Sequence, residues 1–90
     1  MRLDQFLRAS RLVLRRTIAQ ELCEAGAVAV NGVIAKPARA VRVGDEIALS
    51  YRDHLLSVRV TAVPTKRQTS RHEATSLYEI ISKTALPLLD

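Results

Sequence analysis

The strongest constraint on this chain is a change of period at Gly26: apolar residues recur every three or four positions before it and alternate after it. In "RLDQFLRAS", Leu3, Phe6 and Leu7 fall at helical spacing, with Arg2, Gln5 and Arg8 on the other side. A short connection through residues 11–14 leads to "RRTIAQELCEAG", where Ile18, Leu22 and Ala25 mark one face with Ala19 and Cys23 beside it. Gly26 suits the left-handed position that ends helices. "AVAVNG" then alternates Val28 and Val30 and sets Asn31-Gly32 where a type I′ hairpin turn requires positive φ.

"VIAKP" reads as the return strand, stopped by Pro37, and "VRVGDEIALS" as a turn at Gly44-Asp45 followed by a strand through Ile47 and Leu49. "LLSVRVTAV" puts Leu56, Val58, Val60 and Ala62 on one face and ends at Pro64. "PTKRQTSRHE" has no large apolar residue and reads as an exposed basic loop. "EATSLYEII" fits a short helix or a last strand equally well. The expected fold is α+β, two N-terminal helices packed on a small twisted antiparallel sheet. Residues 1–63 form the domain, and residues 64–90 add the basic loop and a short C-terminal element packed on it.

Charge narrows the partner. Residues 1–42 hold eight bases against three acids, whereas residues 43–90 hold six of each, so the whole net charge of +5 lies in the first half. That asymmetry is the electrostatic footprint of a nucleic-acid binder. A single cysteine, Cys23, excludes an internal disulfide. No apolar run approaches the ~18 residues of a spanning helix, and "MRLDQFLRAS" lacks the apolar core of a signal peptide. A cytoplasmic protein with no membrane contact is expected.

Catalytic machinery has no obvious place. Gly26, Gly32 and Gly44 are used by a helix stop, a hairpin and a turn, leaving none for a phosphate-cradling loop. His54 and His72 lack companions at metal-ligand spacing, so no metal and no cofactor are expected. Cys23, next to Leu22 on a helix face, reads as packing. The expectation is a protein that binds and does not catalyse.

"SRLVLRRT" carries Arg11, Arg15 and Arg16, and the last two crowd the start of the second helix, where Arg15 takes the place of an ordinary N-cap. A helix N-terminus is already a positive end that favours anions. These arginines therefore read as unfavourable in the free protein and satisfied by a phosphate, and removing Arg16 is expected to leave the melting temperature unchanged or slightly raised. The exposed face of that helix, Thr17, Gln20, Glu21 and Glu24, carries two acids that would repel phosphates along a DNA groove. Contacts from the helix end suit structured RNA better, and three aromatic residues give no stacking platform for single strands. A DNA-binding regulator is the weaker reading.

Four ordered motifs carry a family resemblance: Arg2 to Leu7 as R-L-D-x-F-L, Arg16/Ala19/Leu22 as R-x-x-A-x-x-L, Gly26 to Gly32 as G-x-V-x-V-N-G, and Gly44-Asp45-Glu46-Ile47 as G-D-x-I. Residues 2–49 resemble the αL RNA-binding domain first seen in small-subunit ribosomal protein four. The chain as a whole is similar to small stand-alone bacterial members, the ribosome-quality-control P-site-tRNA-stabilising factors. Heat-shock ribosome-recycling proteins are near relatives; they typically have a longer basic C-terminal extension, and none is expected here. The resemblance implies a large ribosomal subunit obstructed by peptidyl-tRNA as the target. It also implies contacts to ribosomal RNA and tRNA and support for C-terminal tailing of stalled chains with a partner protein. A monomer is expected. The resemblance carries over Arg2, Arg16 and the Asn31-Gly32 turn as RNA-binding positions, with Leu3, Phe6 and Leu7 as core and Asp4 as a helix N-terminal or intradomain partner. Arg8, Arg11, Arg15 and Lys36 join them on charge placement. Many family members have serine where this chain has Arg15.

Overall fold

The computed structural model describes residues 1–51, 53–64 and 70–85. Two helices, α1 (Leu3–Ala9) and α2 (Arg16–Glu24), precede four strands: β1 (Val28–Val30), β2 (Val33–Ile34), β3 (Glu46–Tyr51) and β4 (His54–Val60). A short helix α3 (Arg71–Thr75) leads to the last strand β5 (Tyr78–Ala85). The strands form one antiparallel sheet in the order β2-β1-β3-β4-β5.

The period change at Gly26 is the junction of the two layers. Gly26 has φ +77°, its N–H donates to Cys23 O at 3.1 Å, and the Ala27 N–H donates to Leu22 O at 2.9 Å. This paired closure, with its left-handed residue, satisfies the last carbonyls of α2 and turns the chain into β1. Asn31 (φ +52°) and Gly32 (φ +83°) then form the expected hairpin turn between Val30 and Val33.

Register places Val30, Ile47 and Val58 in one row and Val28, Leu49 and Leu56 in the next. This sheet face joins Leu3, Phe6, Leu7 and Val13 in a single core. Burying each large apolar side chain contributes about 1.5–3 kcal/mol, which is what holds the short α1 in place. On the other face Arg59 lies between Glu46 (3.3 Å) and Glu79 (2.8 Å) across three strands.

Three features differ from the sequence reading. First, α2 buries Ala19 and Cys23, while Ile18 and Leu22 are half-buried and Ala25 is exposed. Small residues at the centre of the contact let α2 approach closely, so its larger side chains splay to the sides. Second, residues 71–85 hold both a helix and a strand. Ser70 caps α3 by accepting from the Glu73 N–H at 3.0 Å, and Ala74 and Leu77 are buried beneath it. The end of the expected basic loop is thus helical, and residues 65–69 of that loop lie outside the described residues. Third, the first residues pair with residues 39–41: Val41 N–H donates to Met1 O at 2.9 Å and Leu3 N–H to Arg39 O at 2.8 Å. That pairing is too short to leave a period in the sequence, yet it fixes where Arg2 stands.

Candidate RNA interface

Asp4 occupies the first turn of α1, where the helix dipole favours an acid. Its side chain is fully buried. The carboxylate accepts Arg2 Nε on Oδ1 at 3.1 Å and Arg2 Nη2 on Oδ2 at 3.3 Å. It also accepts Arg16 Nε at 3.2 Å and Gln20 Nε2 at 3.0 Å on Oδ2, and the Gln5 N–H at 2.9 Å on Oδ1. Burial alone would raise its pKa. Hydrogen bonds from Gln20, Arg2 and Arg16, together with the Arg16 charge, outweigh burial and hold it below the ordinary carboxylate value.

This arrangement corrects the reading of Arg16 as unsatisfied in the free protein. The anion it needs is already present, supplied by α1 twelve residues earlier. The dipole penalty is offset within the fold, because a buried carboxylate interacts more strongly than a solvated ion. Arg2 and Arg16 nonetheless keep 45% and 43% of their side-chain surface exposed, so both reach solvent from a shared anchor.

The other predicted positions divide. Arg15 is the N-cap residue of α2, with extended backbone and no side-chain cap. It is exposed beside Arg16. Arg11 is exposed in the connection between the helices and adopts φ +61°. Arg8 is half-buried in the last turn of α1, where a base suits the dipole. Lys36 is exposed, next to Pro37, whose carbonyl accepts the Asp4 N–H at 3.2 Å. Asn31 belongs to a different contact: its Nδ2 donates to Asp45 at 3.1 Å and its Oδ1 accepts the Glu46 N–H at 2.9 Å. Asn31 and Gly32 are tied to the start of β3, whereas Arg2 and Arg16 meet at Asp4.

Beside the arginine pair runs an open groove of about 680 Å³ lined by Arg2, Thr17, Gln20, Glu21, Glu24 and Pro37. Sequence reasoning missed Gln20 as part of the arginine anchor, and it missed Arg39 and Arg42. These two line a second pocket of about 280 Å³ with Ala40 and Asp45. The signal for them was the charge count, which included both without assigning them a place. Cys23 sits in the core, and burial, then the charges of Asp4 and Glu24, push its thiol up to about 11.

Comparison with known proteins places this geometry. The S4 domain family matches residues 1–47. A protein of Halalkalibacterium halodurans named RQC P-site tRNA stabilizing factor is 45% identical over 89% of this chain and 89% of its own length. Heat shock protein 15 of Escherichia coli is 34% identical, and the match spans 88% of this chain but 59% of that protein. The trimeric structure of Vibrio cholerae heat shock protein 15 superposes with a TM-score of 0.83 at 30% identity, covering 91% of this chain and 82% of the other. The chain therefore belongs to the S4 domain family, in the group that contains the RQC P-site tRNA stabilizing factors.

Proposed function

We propose that this chain is a non-catalytic RNA-binding factor of ribosome-associated quality control. It binds large ribosomal subunits obstructed by peptidyl-tRNA, through phosphate contacts to ribosomal RNA and tRNA, and supports C-terminal tailing of stalled chains alongside a partner protein. It acts in the cytoplasm as a monomer. The single observation that carries this reading is the pair Arg2 and Arg16, tied to one buried carboxylate and still half-exposed, with Arg15 beside them. Arg8, Arg11 and Lys36 extend the basic surface, Gly32 offers an exposed turn backbone, and Asn31 shapes that turn. The name of the Halalkalibacterium halodurans relative supports tRNA at the P site as the target.

Sedimentation tests the reading. The protein is expected to travel with large subunits that carry peptidyl-tRNA, and recovery only with free RNA or small subunits overturns it. The likeness to heat shock protein 15 favours a second reading, a recycling factor on the same obstructed subunits. The two separate in cells lacking the protein: loss of C-terminal tails on stalled chains supports quality control. Intact tails on accumulating obstructed subunits support recycling.

A further inference from the structure

We propose that Asp4 is a positioning residue for RNA binding: its buried carboxylate holds Arg2 and Arg16 by their inner nitrogens and presents their remaining N–H groups together to one phosphodiester. The inference rests on the RNA-binding reading above and adds what aims its two central residues. Arg16 gives only Nε to Asp4, so both of its terminal nitrogens carry no hydrogen bond among the described residues. Arg2 gives Nε and Nη2, leaving Nη1. Because both side chains converge on one carboxylate, two like charges stand side by side, each with nearly half of its side-chain surface open to solvent. A guanidinium held at Nε has lost most of its rotamer freedom before RNA arrives, and that ordering cost is then absent from binding. Gln20 and the Gln5 N–H fix the carboxylate in turn, so five hydrogen bonds define its plane.

Positioning and plain charge make opposite predictions for Asp4→Asn. The variant raises the net charge from +5 to +6, because one acid is lost from the chain. If the arginines act only as charge, RNA affinity rises. If Asp4 aims them, affinity falls, because an amide offers one acceptor oxygen and turns N–H donors toward the second arginine.

The experiment measures binding of the full chain to purified tRNA and to isolated large subunits carrying peptidyl-tRNA, at several salt concentrations, with circular dichroism on each variant. Asp4→Asn is expected to lose about tenfold in affinity despite its extra positive charge, the equivalent of ~1.4 kcal/mol. Unchanged or tighter binding by a folded Asp4→Asn overturns the proposal. Should Asp4→Asn fail to fold, Arg16→Lys decides: it keeps the charge but has no Nε hydrogen bond. A loss of about tenfold supports positioning and unchanged affinity overturns it. A merely structural role would leave a further readout unmoved. In nitrogen-15 spectra the Nε–H signals of Arg2 and Arg16 are expected to persist when RNA binds while their terminal N–H signals shift. Loss of the Nε–H signals on RNA addition overturns the proposal. Failure of the wild-type chain to bind either RNA overturns the functional reading itself, a result distinguishable from wild-type binding that Asp4→Asn leaves unchanged.

Discussion

Asp4 accepts the Nε–H of Arg16 at 3.2 Å, and this contact ties the first turn of α1 to the first turn of α2. Removing it leaves a fully buried carboxylate short of a donor. Hydrogen bonds to charged groups contribute about 1.5–3 kcal/mol. Arg16 is half-exposed, so solvent screening reduces its share to about 1 kcal/mol. Arg16→Ala is expected to lower the melting temperature by roughly 4–8 °C for a domain of this size. Thermal unfolding by circular dichroism measures this, and an unchanged or higher melting temperature would restore the reading of Arg16 as strained in the free protein.

The Asp4 carboxylate, held down by Gln20, Arg2 and Arg16 together, also contributes to the acid limb of stability. Folding lowers the Asp4 pKa, because donated hydrogen bonds outweigh its burial. The unfolded chain therefore takes up the proton more readily, and acid favours it. The stabilisation is complete above the ordinary carboxylate pKa of about 3.9 and is lost as pH falls below that value through the folded pKa. Urea midpoints measured between pH 3 and pH 6 are expected to fall steeply at the acid end and more gently in Asp4→Asn. Equal slopes in both proteins would remove Asp4 from the account.

Arg15 separates binding from stability. It occupies the N-cap of α2 without capping it, and the first turn of that helix holds no acid. Arg15→Ser supplies a hydroxyl to an unpaired backbone N–H and removes a cation from the positive helix end. Together these stabilise by about 0.5–2 kcal/mol. The expected outcome is a higher melting temperature with weaker RNA binding, and a salt slope smaller by roughly 0.7–0.9. A variant that is both more stable and binds equally well would show Arg15 outside the interface.

Much of this was legible in the chain because its signals are local. Alternation at Val28 and Val30, the Asn31-Gly32 pair and the Gly26 stop are each set by a few neighbouring residues. The Asp4 anchor was not legible in the same way. Its side-chain donors lie two, twelve and sixteen residues away, and only the packing of α1 on α2 brings Arg16 and Gln20 to it. The dipole argument was sound for an isolated helix and failed at Arg16 because a tertiary contact supplied the anion. Likewise α3 was hidden in a polar stretch, since Ser70 and Glu73 signal a helix start while burial is carried by Ala74 and, just past the helix, by Leu77. Arg39 gained a location from the pairing of residues 39–41 with the N-terminus, and Arg42 from its hydrogen bonds with Asp45.

Asn31 is expected to matter for stability more than for RNA contact. Its φ of +52° costs an ordinary residue about 1–2 kcal/mol, and its amide holds Asp45 and the Glu46 N–H. Asn31→Ala loses both hydrogen bonds and keeps the strain, for a total of about 2 kcal/mol. Asn31→Gly relieves the strain and should lose about half as much. Melting temperatures compare the three proteins, and RNA affinity at low temperature, where all are folded, is expected to agree within about twofold. A large affinity loss in folded Asn31→Gly would place the Asn31 side chain on RNA instead.

Cys23 offers a probe of how the helical layer opens. Its side chain lies on the buried side of α2 in the core, and burial pushes its thiol up to about 11. At pH 8 the reactive thiolate is then about a thousandth of the total, and no reagent reaches it in the closed protein. Modification by iodoacetamide is expected to wait for opening of the helices and to run slower than in urea-unfolded chain by the factor that this opening equilibrium sets. The rate should climb with sub-denaturing urea and in Arg16→Ala, where the tie between α1 and α2 is cut. Rapid labelling of the native protein, insensitive to urea, would mean that α2 separates from α1 without global unfolding and that the Asp4 contact does not hold it there.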